Sequence, residues 1–280
     1  MKQEAVLYAD SLESKNLINN FILQFKKEIN ADLSNNLDLK YYNLAVCYSA
    51  KKQPDSTCYY LSECIYASSR FNNLILTDTD FDFLHQNSCW EKIVNKVDSA
   101  YFALNPGISN EKLAIELYHI FLKDQHARGL GLKRKDETIT NVDKENLKRV
   151  EAIVQKYGWP TYSMVGKTAA EGAFLVIQHS NTAVQRKYFK QIFNAAKDGE
   201  ASKESVALLI DRISIHLKGM QVFGTQVYRV KNSTTGKLGT YKYFPIKDEA
   251  NVDSLRKEFG LIPLKQYYAL FGIDYKPGVK

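Results

Sequence analysis

Three helical stretches carry polar residues on faces that should be apolar, and chemistry would have to happen there. In the first, Leu117, Ile120 and Phe121 mark a buried stripe, and Asp124 and Arg128 extend it at steps of three and seven residues. Gln125 sits beside them. The plain alternative is an exposed i,i+4 Asp–Arg pair, worth only ~0.3–0.5 kcal/mol. In the second, Lys167–His179 is apolar almost all round, so the helix must be central, yet it carries Glu171, Gln178 and His179. Glu171 and Gln178 are seven residues apart and share one face. In the third, Asp211-Arg212 interrupts Val206–Ile215. Adjacent helical residues point about 100° apart, so these two cannot simply pair with each other. At least one must find a partner outside its own helix, because a buried unpaired charge costs several kcal/mol.

These residue types suit acid–base work on a polar ligand. His179 would serve as general base or acid, with Asp124 or Asp211 orienting it or activating water. Arg128 and Arg212 would hold negative charge. Gln125, Gln178, Gln221 and Gln226 would supply amide hydrogen bonds, and Gly224-Thr225 would let backbone approach the ligand. The reaction class would be hydrolysis or group transfer on an anionic or amide-containing substrate. A second reading is non-catalytic: the polar core fixes the packing of a module that recognises a protein or peptide. A lone buried His is more often a hydrogen-bonded core residue than a catalyst. No phosphate-binding glycine loop, Ser-His-Asp motif or H-E-x-x-H helix is present. One His among carboxylates is a poor transition-metal set, whereas oxygen ligands would suffice for magnesium. The expectation is therefore no metal and no cofactor.

Helices must position these groups. The spacing predicts a helix over Lys2–Ile29, then a pair at Leu39–Ala50 and Ser56–Ser68 around Pro54. Beyond Asn105-Pro106-Gly107, Ser109 or Asn110 caps a helix to about Arg128, and Asn141 or Asp143 opens one ending at Tyr157 before Gly158. Lys167–His179 follows. Thr182-x-x-Gln185 reads as a capping box for a helix through Ala196, and Lys203–Leu217 comes next. Gln221–Tyr228 and Thr240–Ile246, divided by Asn232–Gly239, read as a β-hairpin. Short helices at Val252–Phe259 and Pro263–Phe271 finish the chain. The expected fold is mainly α, with a helical module over 1–105 and a helical bundle with one hairpin over 106–280.

Charge supports the same division. The 280 residues carry a formal charge of +7. Residues 1–105 hold 10 Lys and Arg against 13 Asp and Glu, and residues 106–280 hold 28 against 18. A basic half suggests an anionic partner, but it has no stacking motif or arginine-rich tract, so nucleic acid is disfavoured. No apolar run approaches the ~20 residues of a membrane span. Cys47, Cys58, Cys64 and Cys89 lack a C-x-x-C pair and are too sparse for a disulfide scaffold. Buried, reduced thiols and a cytoplasmic location are expected, although a removed signal peptide would leave the same start.

Two resemblances add to this reading. Tyr42-Asn43-Leu44-Ala45-x-x-Tyr48, Tyr59-x-Leu61-x-x-Cys64-Ile65-x-Ala67 and the tail Asp78-x-Asp80-Phe81-x-x-Leu84, closing on Trp90-x-x-Ile93, resemble a degenerate end-of-group tetratricopeptide. That implies a short helical cap or docking module. A second set resembles the bacterial domain-of-unknown-function family six-six-two-four over roughly 110–270. It comprises Asp124-Gln125-x-x-Arg128, Tyr157-Gly158-Trp159-Pro160, Val165-Gly166 and Gln178-His179. It continues with Leu209-Ile210-Asp211-Arg212, Gln221-x-Phe223-Gly224-Thr225-Gln226 and Val252-Asp253-x-x-Arg256-x-x-x-Gly260-Leu261-x-Pro263-Leu264. Phe223 stands where the family pattern has Tyr. The resemblance implies a domain and no established activity.

Overall fold

The computed structural model describes residues 12–31, 36–128, 136–231 and 238–276. The fold is mainly α, with one antiparallel hairpin among the described residues. Two compact units emerge: Met1–Gly107 with Gln125–Arg134, and Ile108–Asp124 with Lys135–Lys280.

The first unit runs α1 (Leu12–Asn30), α2 (Leu37–Ala50), α3 (Pro54–Ala67), α4 (Asn72–Ile75) and α5 (Ser88–Leu104). Pro54 opens α3 at a position where a missing N–H costs nothing, and three residues turn α2 back onto it. The pair packs through small and aromatic side chains: Tyr42, Ala45, Leu61 and Cys64 are all buried. Tyr42 donates its hydroxyl to Asp78, and Asp78 in turn accepts the Asp80 N–H to start a 3-10 stretch over Thr79–Leu84. Asn87 caps α5 by accepting the Cys89 N–H at 3.0 Å.

The cysteines depart from expectation. Cys58 on α3 and Cys89 at the start of α5 are joined in a disulfide with a Cα separation of 6.2 Å. Only Cys47 and Cys64 are free thiols, and burial pushes the Cys64 thiol up to about 12. Spacing could not reveal the bond, because α5 is brought beside α3 only by tertiary packing. The argument from reduced thiols to a cytoplasmic location therefore falls away. Among the described residues no helix is long and apolar enough to cross a membrane.

The second unit begins on α6 (Glu111–Arg128), capped by Asn110, whose side chain accepts the Leu113 N–H at 3.1 Å. Then come α7 (Asp136–Tyr157), α8 (Tyr162–Val165), α9 (Lys167–His179), α10 (Thr182–Lys197) and α11 (Lys203–Lys218). Strands β1 (Val227–Lys231) and β2 (Leu238–Tyr243) precede α12 (Val252–Glu258) and α13 (Leu264–Ala269). As its composition requires, α9 is central, with Ala169, Ala170, Ala173, Phe174, Val176 and Ile177 buried. Gly172 lets α6 approach it, since a Cβ there would stand 2.8 Å from both the Leu117 carbonyl oxygen and the Phe121 Cβ. No larger residue fits that crossing.

Three local expectations shift. α7 starts at Asp136, before Asn141. The cap of α10 is Asn181, which accepts the Val184 N–H at 3.0 Å, and not the box expected from Thr182. Gln185 instead turns back to donate to the carbonyls of Gln178 and Ser180, at 2.8 and 2.9 Å. The hairpin also begins later than Gln221: β1 and β2 pair Val227 with Tyr243 and Arg229 with Tyr241. Gln221 makes an isolated bridge to Ile246, and residues 222–226 form a loop in which the Val222, Phe223, Thr225 and Gln226 N–H groups bind side chains. The turn expected over Asn232–Gly239 lies mostly outside the described residues.

Candidate functional site

Asp211 is fully buried near the middle of α11. Its Oδ1 accepts the N–H groups of Val222 and Phe223, at 2.6 and 2.9 Å. Its Oδ2 accepts the N–H and the hydroxyl of Thr225, both at 2.8 Å. Burial of this carboxylate is offset by donors alone, so its acceptor capacity is used up within one segment. Arg256 on α12, also fully buried, holds the same segment by donating Nη1 to the Phe223 carbonyl at 2.6 Å and Nε to Ile262 at 2.6 Å. Gln221 completes the brace: its side chain donates to Phe244 O at 2.9 Å and accepts the Gln226 N–H at 2.9 Å. Gly224 is required at its left-handed φ of 73°, where a Cβ would come within 2.5 Å of Leu264 Cδ1. Phe223, lacking the expected hydroxyl, packs on Phe259 with ring centroids 4.7 Å apart.

A second constellation joins α6 and α9. His179 Nδ1 lies 3.0 Å from Asp124 Oδ1 on α6. Asp124 is 1% exposed and the His179 side chain 19%. A buried carboxylate thus orients a partly accessible imidazole, which fixes Nδ1 as the nitrogen facing the acid.

A third arrangement surrounds the end of α11. Arg212 and His216, one turn apart, line a hollow of about 300 Å3 with Thr182, Gln185, Gln226 and Phe244. Gln185 belongs both to this hollow and to the carbonyls that flank His179 in the chain. The Gln226 side chain donates to the Thr225 hydroxyl at 3.0 Å, which places it on the braced loop. The loop held by Asp211 therefore forms one wall of the hollow that Arg212 enters.

The residues named from sequence thus fall into distinct places. Asp124 and His179 touch each other; Arg212 and Gln226 share the hollow; Asp211, Gln221, Gly224 and Thr225 form the internal brace. Gln178 is buried near the end of α9. Gln125, exposed, and Arg128, half-buried, lie on the part of α6 that groups with the first unit. Glu171 does not join the others: it accepts the Ser205 hydroxyl at 3.1 Å, and burial holds its carboxyl above the ordinary range. Sequence reasoning missed His216 and the second role of Gln185. The i,i+4 spacing of Arg212 and His216 was the available signal. Arg256 was quoted only as part of a pattern, although its spacing from Val252 puts it on the same inward face. Among the described residues, no three His, Cys, Asp or Glu side chains gather as a metal site.

Residues 134–280, which include the brace, the hollow and His179, match the model of a family of unknown function, DUF6624. The chain belongs to that family. Its matched span starts later than the resemblance suggested and takes in the C-terminal helices through the end. Asp124 precedes the DUF6624 match, so the dyad joins a residue inside the matched span to one before it. No curated protein and no solved structure matches the chain.

Proposed function

We propose that the second unit binds a small ligand carrying an anionic group and an amide, in the hollow between α10, α11 and the braced loop. The observation that carries this reading is the convergence of Arg212, His216, Gln185 and Gln226 on one concavity of about 300 Å3. Arg212 supplies a planar, permanently charged fork for a carboxylate or phosphate. Gln185, whose amide N–H groups are held by Gln178 and Ser180, offers its carbonyl oxygen as an acceptor, and Gln226 offers an amide N–H and a carbonyl oxygen to a neutral polar group. The Asp124–His179 pair supplies an oriented imidazole near the end of α9, outside the residues that line the hollow. Hydrolysis or group transfer is the reaction class we propose if a bound ligand reaches that imidazole.

For the first unit, the antiparallel α2–α3 pair with its short connection supports a tetratricopeptide-like docking module that takes a protein or peptide.

N-acetylglycine has both required groups and is the simplest probe. Calorimetric titration into the full chain should show saturable binding, weakened about tenfold or more by Arg212→Gln, the loss of one charge-assisted pair. The methyl ester, which has no charge, should bind more weakly by the same factor. Equal binding of acid and ester, or an unchanged Arg212→Gln variant, would refute the assignment.

A further inference from the structure

A surface helix needs one apolar stripe to reach the core, and α11 has two. Its inward face is accounted for by Ser205, Val206, Ala207, Leu209 and Asp211, all buried. Ile210, Ile213 and Leu217 recur at helical spacing on another face, and they line a groove against Phe189 of α10 and Val222. The groove encloses about 350 Å3. Leu217 is 53% exposed and Phe193, which contacts Phe189 at a centroid distance of 5.8 Å, is 38% exposed.

Charge is placed at one end of it. The five-residue connection between α10 and α11 makes them antiparallel, so the start of α10 lies beside the end of α11. Arg186 and Lys218 therefore flank the same end of the groove, and both line it. Neither forms an ion pair with another described residue. From Lys218 back to Ile210 the groove runs about 12 Å at the helical rise. An apolar channel with cations gathered at one end differs from a peptide-binding face, where charge would flank its length.

We propose that the α10–α11 groove binds a medium-chain fatty carboxylate, with the carboxylate between Arg186 and Lys218 and the chain along Ile213, Phe189 and Ile210 towards Phe193. The size falls within that of small-ligand sites, which are mostly apolar with few polar groups. The site is separate from the hollow at Arg212, since the two share no lining residue.

Decanoate is the probe, kept below its micellar concentration. Acetate presents the same head without the chain, and decyltrimethylammonium the same chain with the opposite charge. Decanoate should bind the full chain at least tenfold more tightly than either. Methyl resonances of Ile210, Ile213, Leu217 and Val222 should shift on titration, while the Arg212 side chain should not. The double variant Arg186→Gln, Lys218→Gln should weaken decanoate binding at least tenfold with its melting temperature unchanged. Comparable binding of decyltrimethylammonium would overturn the proposal, as would methyl shifts elsewhere, no shifts at all, or an unaffected double variant. Because N-acetylglycine reports the Arg212 hollow and decanoate this groove, either assignment can fail without the other.

Discussion

Asp211 and Arg212 are neighbours in the chain with opposite environments, the first fully buried and the second exposed. Their angular separation on the helix was legible from sequence, and so was the need for Asp211 to reach beyond α11. Its partner was not legible, because three of its four hydrogen bonds go to backbone N–H groups, which leave no mark in residue types. Asp211→Asn would turn an acceptor into a donor against those N–H groups and release the segment that Arg256 holds from its other side. A loss of ~3–5 kcal/mol, seen in chemical denaturation, is expected. Arg212→Gln should stay within about 0.5 kcal/mol of the parent in the same assay. Glu171 gives a pH signature. Burial raises its carboxyl above the ordinary value of 4.5, the nearby Glu204 adds to the shift, and the Ser205 hydroxyl opposes it. Folding therefore favours the protonated acid, and its contribution is complete below pH 4.5 and lost as pH rises through the folded value. Glu171→Gln should accordingly raise the melting temperature at pH 7 and leave it nearly unchanged at pH 4. A variant less stable than the parent at pH 7 would show that the ionised form is preferred.

Helix locations were legible from apolar spacing and from caps such as Asn110, whereas loop structure was not. Residues 221–226 have strand-like composition, but a carboxylate from another element takes the Val222, Phe223 and Thr225 N–H groups. Gly224 sits at a positive φ against Leu264. Gly224→Ala should cost about 1–3 kcal/mol through backbone strain and overpacking, and it should weaken N-acetylglycine binding by shifting Gln226. Full stability with full binding would mean that the loop is not braced as described. In the first unit, the disulfide closes a sequence separation of 31 residues between α3 and α5. Reduction should destabilise that unit by about 3–4 kcal/mol on the chain-entropy account, measured by thermal unfolding with and without reductant. The pairing was invisible in spacing because it depends on where α5 packs.

At the scale of the molecule, a turn at Gly107 with a φ of 79° ends the first stretch of the first unit. Composition and charge pointed to a change of character at that turn, and Asn105-Pro106-Gly107 marked it. The sequence could not show how the polar residues divide between brace, dyad and hollow, since each arises from contacts between elements distant in the chain. Apolar periodicity reports burial, not which polar group a buried charge meets. In the proposed site Arg212, His216, Gln185 and Gln226 meet the ligand while Asp211 and Arg256 hold its wall. The most direct measurement is a heteronuclear NMR titration of the full chain with N-acetylglycine, following the Arg212 Nε–H and the side-chain amides of Gln185 and Gln226. Saturable shifts at those three groups, with the Val222 and Phe223 amides moving little, are predicted. Shifts confined to other residues, or none at millimolar ligand, would contradict it.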